Sequence, residues 1–215
     1  MSQASKYSLY LDIVRSSFQE WYDAGKDSWT AAPVNNRVTE FICRSAPPPA
    51  AGRRRVLDIG CGRGHQAAAL AARLDADVTG IDVLDVWDAP PPSRGTARLH
   101  HGDFLRYVGP SADMLVDNGC LHHQRRKEWS RWIGHGRELL RAGGIWAVSC
   151  FLSPTPDLEV RPLNDGRLNW WLTPPLIGEL FAGSGFTLTG QAEIDRNFHY
   201  QGHWLKYIVM SFRKG

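Results

Sequence analysis

The run Val56-Leu57-Asp58-Ile59-Gly60-Cys61-Gly62-Arg63-Gly64 joins an apolar stretch to a loop with glycine at alternate positions. Glycine lets a backbone turn tightly and lets a ligand approach closely. A helix opening just after such a loop presents free N–H groups toward that ligand. The dinucleotide fingerprint would need glycine at positions 60, 62 and 65, and position 65 is His65. Asp58, set before the glycines, suits the ammonium group of a zwitterionic amino-acid ligand, directly or through water. A carboxylate there would not help to hold a pyrophosphate. Asp82 ends the next apolar run with Val83 beside it, and a carboxylate at that point can accept both hydroxyls of a ribose. Taken alone, Asp82 would serve equally as a solvated turn residue. Asp103-Phe104 follows a third run, where Asp103 by itself would serve equally as a helix N-cap.

A fourth run leads into Asp117-Asn118-Gly119-Cys120-Leu121-His122-His123. Ligands of open α/β sheets sit beyond the carboxyl ends of the strands, so this segment should border the reacting groups. His122 and His123 are candidate catalytic residues, since histidine titrates near neutrality and can take a proton from a hydroxyl or amine. A metal site with Cys120 and Asp117 has no diagnostic spacing, and no metal is expected. The remaining reading is structural, one histidine packed or capping and the other solvated. His199 and His203, before the last strand, are further candidates for the same pocket, which the sequence alone does not place there.

These residues need a frame to hold them. The chain reads as helical to about Arg44, with Leu9, Ile13, Val14, Phe18 and Trp21, then Val34, Val38, Phe41 and Ile42 after Pro33, at helix-like spacing. The turn-rich stretch from Asp23 to Ser28 separates the two helices, and the prolines between Ala46 and Gly52 form a linker. Strands are expected at Arg55 to Ile59, Asp77 to Ile81, Thr96 to Leu99, Ala112 to Val116, Ile145 to Phe151, Phe186 to Thr189 and Tyr207 to Phe212. Helices are expected at Ala67 to Leu74, Trp129 to Leu140 (stopped by Gly143-Gly144) and Leu176 to Phe181. A long loop from Ser153 to Asn169, followed by Trp170-Trp171, is expected to form part of a pocket wall. Such alternation predicts an α/β Rossmann-like fold with a seven-stranded, mostly parallel sheet and helices on both faces.

The D-x-G-x-G-x-G loop resembles the first motif of the class I S-adenosylmethionine (SAM) dependent methyltransferases. That resemblance spans about residues 55 to 215 and implies an antiparallel last strand. It sets Asp103 against the adenine amino group, with the Phe104 ring packing on the base. A narrower resemblance lies in Trp21-x3-Gly25-x3-Trp29 and Asp117-x-Gly119-x-Leu121, which look like the entry segment and strand-four segment of the thiopurine and thiol S-methyltransferase group. It implies that residues 1–45 fold over the cofactor as a helical lid on a core of 53–215, within one domain of 1–215. Trp21 and Trp29 would equally fill the junction between the N-terminal helices and the sheet. Asn118, Cys120 and the double histidine depart from the thiopurine enzymes. The expected SAM-binding set is Trp21, Trp29, Asp58, Gly60, Gly62, Gly64, Asp82, Val83, Asp103, Phe104, Asp117 and Asn118. S-adenosylhomocysteine would be the product.

The expected activity is methyl transfer to a small molecule, with a sulfur nucleophile favoured because a thiol needs little help to ionise. The alternatives are an O-, N- or C-methyltransferase of specialised metabolism, a SAM-binding protein that transfers nothing, and, more remotely, an NAD-binding oxidoreductase. The segment after strand four lacks the [ND]-P-P-[YFW] pattern used on nucleic-acid bases. A net charge of +3 on 215 residues is too mild to point to nucleic acid. With 43% hydrophobic residues and no ~20-residue apolar run, neither a membrane span nor a membrane partner is expected. Cys43, Cys61, Cys120 and Cys150 form no C-x-x-C pair, and no signal-peptide run opens the chain, so a cytoplasmic protein with free thiols is expected.

Overall fold

A computed structural model describes residues 3–27, 29–30, 33–200 and 202–215; for 3–5, 33, 197–198 and 200 it describes the backbone alone. Ser28, in the expected turn, lies outside the described residues. Helices α1 (Gln3–Asp23) and α2 (Pro33–Ser45) come first. There follow β1 (Arg54–Ile59), α3 (His65–Leu74), β2 (Ala76–Asp82), β3 (Thr96–His101), β4 (Ala112–Asn118), α4 (Trp129–Leu139) and β5 (Leu140–Leu152). The chain closes with β6 (Glu159–Val160), β7 (Trp170–Leu172), α5 (Pro174–Ala182), β8 (Phe186–Tyr200) and β9 (His203–Lys214).

Strands β3, β2, β1, β4 and β5 are neighbours in that order and run parallel. Antiparallel β9 lies against β5 and carries β8 on its other edge. These seven strands make the expected Rossmann-like sheet. The β6–β7 pair is an addition, attached to the end of β5 through Phe151–Trp171 and Leu152–Leu172. The central strands are covered on both faces, which is why they read as continuous apolar runs. Leu57, Ile59, Leu115, Trp146, Phe181 and Phe212 share one core layer. Val56, Val78, Met114, Val116 and Val209 point the other way, against Val38 and Ile42 of α2 and Leu70 of α3.

Three expectations about elements are corrected. Gly143-Gly144 does not stop a helix: α4 ends at Leu139, and the glycines sit inside β5 where its register against β4 shifts between Ala112 and Met114. Glycine there serves a bulge. The sixth strand is 15 residues long rather than four, because Ala192 and Ile194 face inward while Gln191, Glu193 and Asp195 face outward and mask the apolar signal. The loop from Ser153 contains β6. On α1 the inward face is Tyr7, Tyr10, Val14 and Ser17, while Leu9 and Ile13 are exposed. Its hydroxyls are spent on the chain beneath: Tyr7 bonds to Asp103, Tyr10 to the His123 carbonyl and Ser17 to Asp165. No described helix is long and apolar enough to cross a membrane.

Candidate functional site

A cavity of about 910 Å³ runs along the carboxyl ends of the strands, from Asp82 and Asp103 at one end to Tyr207 and Arg196 at the other. Helix α1, Trp29, Thr30 and α2 contribute its roof. Gly60 and Gly62 line it with φ of 69° and 51°. A Cβ on Gly60 would strike Cys120 Sγ, and one on Gly62 would strike the Tyr22 hydroxyl. Both the backbone conformation and the close approach therefore require glycine. Asp82 is tied to this loop: Oδ2 accepts from Gly62 N–H (2.8 Å) and Oδ1 from Leu84 N–H (2.9 Å). Burial pushes its carboxyl up, and the two N–H groups oppose that. Each oxygen keeps a lone pair for a further donor.

Asp103 does two jobs. Oδ1 accepts from Leu105 N–H (3.0 Å), capping the 3-10 turn Phe104–Arg106, and from the Tyr7 hydroxyl of α1 (2.8 Å). Oδ2 is buried with no hydrogen-bond partner; the Arg106 guanidinium lies 3.7 Å away. The N-cap reading and the ligand reading thus use different oxygens of one carboxylate. Phe104, 4.6 Å from the Trp132 ring, lines the cavity beside it, as do Val83 and Asn118.

Three expected cofactor residues stand elsewhere. Asp117 is off the cavity wall: it accepts from Cys120 N–H (2.7 Å), Leu121 N–H (3.1 Å) and Trp132 Nε1 (2.9 Å). It shapes the turn after β4, and burial, opposed by those donors, sets its carboxyl at about 6. Gly64, also off the wall, faces the Trp87 ring, 2.5 Å from where its Cβ would lie, so its missing side chain makes room for packing. Asp58 is 1% exposed, behind the wall, with Oδ2 unpartnered. Burial first, then Asp82 and Asp117, raise its carboxyl to about 8.

The Trp-Gly-Trp segment folds back on itself. Gly25 takes a left-handed conformation (φ 62°), and Lys26 N–H closes the helix end on Trp21 O (2.8 Å). Trp29 returns to within 5.6 Å of Trp21 and 5.8 Å of Phe18, and all three line the cavity. Asp27 fastens the segment to the glycine loop through Arg63 Nε (2.7 Å). The two tryptophans therefore fill a junction and face the ligand space at once.

His122 and His123 are both brought to the cavity wall, and burial holds both rings below the usual histidine range. Burial, His123 and the nearby arginines hold His122 well below its usual range, and Nδ1 has no protein partner. Burial, then Arg167, lowers His123 to about 3. Its Nδ1 lies 3.0 Å from Leu168 O, and its Nε2 lies 3.4 Å from Arg167 Nη1. A group with so low a pKa is a weak base at neutral pH. Asp117, Cys120 and the histidines do not form a metal cluster, and no group of three or more candidate ligands is found among the described residues. All four cysteines are free.

Sequence reasoning missed Tyr22, Phe151, Arg167, Asn169, Arg196 and Tyr207, all of which line the cavity. The loop at Ser153 to Asn169 pointed toward Arg167 and Asn169. Nothing in the sequence flagged Arg196, whose place depends on the unexpected length of β8.

The residues suit SAM. Asp103 Oδ2 lacks a donor such as an adenine amine, Asp82 has lone pairs free for a ribose, and Asp58 Oδ2 is an orphan near the glycine loop. The fold is that of the class I SAM-dependent methyltransferases. Within it, residues 56–144 match the family model described as a methyltransferase domain. An uncharacterized methyltransferase of Mycobacterium tuberculosis is 36% identical over 115 residues, 48% of this chain and 54% of the relative. The 27-O-demethylrifamycin SV methyltransferase of Amycolatopsis mediterranei is 28% identical over 168 residues, 70% of this chain and 58% of the relative. The chain thus spans about half the length of the curated relatives it matches. A crystal structure of Burkholderia thailandensis 1,6-didemethyltoxoflavin-N1-methyltransferase, with bound 1,6-didemethyltoxoflavin and S-adenosylhomocysteine, is similar with a TM-score of 0.82. It is 26% identical, and the likeness covers 97% of this chain and 90% of that one.

Proposed function

We propose that this chain transfers the methyl group of SAM to a flat small-molecule acceptor. One observation carries the reading. A single cavity joins an acid-lined end, at Asp82 and Asp103, to an end walled by Phe18, Phe151, Tyr207 and two neutral histidines. SAM supplies an electrophilic methyl group on a positively charged sulfur. Asp103 would orient the base and Asp82 the ribose, while Gly60 and Gly62 would leave room for the amino-acid end. The aromatic walls would exclude water and position a flat ring for attack on the methyl group. Residues 1–45 act as the lid over the 53–215 core, since Tyr7 bonds to Asp103 and Tyr10 to the His123 carbonyl, both on the cavity wall. The likeness to 1,6-didemethyltoxoflavin-N1-methyltransferase supports a nitrogen acceptor.

A sulfur acceptor is the second reading, favoured by the weakness of both histidines as bases. The test is S-adenosylhomocysteine release from SAM with 1,6-didemethyltoxoflavin and with a panel of thiols and sulfide, each against a no-acceptor control. Release with the heterocycle supports the first reading and release with thiols the second. Protein that binds SAM but releases nothing with either set would overturn both.

A further inference from the structure

The acceptor end of the cavity holds two cations against one carboxylate. Arg167 is 4% exposed; its Nε donates to Ser17 Oγ (2.8 Å), and its guanidinium lies 4.1 Å from the Phe18 ring centre. Arg196 lies over Phe151 (4.2 Å) and Tyr207 (4.9 Å) and shares a hydrogen bond with Tyr207. Among the described residues neither forms a salt bridge. The acid nearest Arg167 is Asp165, whose oxygens are taken by Ser17 Oγ and the Arg167 backbone N–H. The other groups facing the pair are Tyr10 from α1, His122 and His123 from the turn after β4, and Tyr207 from β9. Burial raises both tyrosines and lowers both histidines, so all four are uncharged at neutral pH. Two buried polar atoms in the lining, Asn169 Oδ1 and His122 Nδ1, have no partner.

Burying a cation without a counter-charge is costly, and a ligand that supplies the charge removes that cost. We infer that the acceptor is a conjugated planar acid, of the imide, lactam or phenol kind, bound as its anion against Arg167 and Arg196. This rests on the methyltransferase reading of the cavity. The acid gives its proton to solvent on entry. Its negative charge is shared between an oxygen at the guanidiniums and the heteroatom that faces the methyl group. That heteroatom's lone pair forms the new bond to carbon as the carbon–sulfur bond breaks with its electron pair on sulfur. Both charges vanish, no proton is in flight, and a general base is dispensable.

The probe is 4-nitrophenol, a flat conjugated acid whose visible absorbance reports its ionisation, titrated into the protein with S-adenosylhomocysteine present. The expected result is an apparent pKa at least one unit below that of the free probe, a tenfold preference for the anion. The methyl ether 4-nitroanisole, which cannot ionise, should bind at least tenfold more weakly. Arg167→Gln and Arg196→Gln should each move the pKa back toward the free value, with S-adenosylhomocysteine affinity kept within threefold as proof of folding. Arg167→Lys and Arg196→Lys, which keep the charge, should retain most of the shift and serve where a glutamine variant does not fold. Equal binding of the two probes, no pKa shift, or no binding of 4-nitrophenol by protein that binds S-adenosylhomocysteine would overturn the inference. Failure to bind S-adenosylhomocysteine would instead sink the methyltransferase reading, while the optical titration still reports on the anion pocket.

Discussion

Asp103→Asn separates the two jobs of one carboxylate. Leu105 N–H and the Tyr7 hydroxyl both point at Oδ1, at 3.0 and 2.8 Å, and Leu105 N–H can only donate. The asparagine carbonyl must therefore take the Oδ1 place, which sets the NH2 group where the orphaned Oδ2 now stands. An adenine amine would then meet a donor in place of an acceptor. A hydrogen bond to a charged group contributes about 1.5–3 kcal/mol. At about 1.4 kcal/mol per tenfold, its loss weakens S-adenosylhomocysteine binding by roughly 10- to 150-fold. The cap and the Tyr7 bond survive in neutral form, so stability should fall by no more than about 1 kcal/mol, a Tm shift of roughly 2–4 °C. Isothermal titration with S-adenosylhomocysteine and with S-inosylhomocysteine, which offers a carbonyl in place of the amine, makes the test specific. The variant should lose the adenosyl ligand and gain on the inosyl one. Equal affinities of wild type and variant for the adenosyl ligand, or equal losses for both ligands, would refute the placement of the base at Asp103.

Asp58, raised to about 8 by burial and by Asp82 and Asp117, favours the folded state most when protonated. Its contribution is fully present below the unfolded value of ~3.9 and is lost as pH rises through about 8. Denaturant titrations of the ligand-free protein should therefore show stability falling across that window, and Asp58→Asn should flatten the slope; an unchanged slope would place the perturbation elsewhere. Asp113 is the opposite case: burial pushes it up, but N–H groups of Arg55 and Ala50 and the Arg141 guanidinium (2.6 Å) outweigh this and hold it below the usual range. The stability it contributes is present above ~3.9 and is lost as pH falls through its lower folded value. Asp113→Asn should thus cost about 1–3 kcal/mol at pH 7 by urea unfolding while S-adenosylhomocysteine affinity stays the same. For His123, held at about 3 by burial and Arg167, His123→Gln should keep kcat within about tenfold, the low end of a general base's usual contribution being ~100-fold. A loss of 100-fold or more at unchanged SAM affinity would restore the general-base role.

Much of the cofactor end was legible in the sequence because it is built locally. A strand, a glycine loop and a helix follow one another from Arg54 to Leu74, and positive φ at Gly60 and Gly62 is a property of glycine itself. Asp82 ends β2 and Asp103 follows the end of β3 by two residues, so the topology of a parallel sheet carries them to the same edge without detailed packing. The fate of the other acids was not local. Asp58 and Asp117 are acids at or near strand ends too, yet their side chains turn into the protein, and only the placing of Trp132 and the turn at Cys120 shows that Asp117 is already satisfied. The acceptor end depended on tertiary structure almost entirely. Arg167 comes from a loop, Arg196 from a strand whose outward polar residues hid its length, and Tyr10 and Ser17 from a helix more than 140 residues earlier. The sequence determined the strand–glycine loop–helix itself, since backbone conformation and residue type suffice for that. Which charges surround the acceptor was decided by long-range packing, because a guanidinium acquires its role only from the rings and hydroxyls that fold around it.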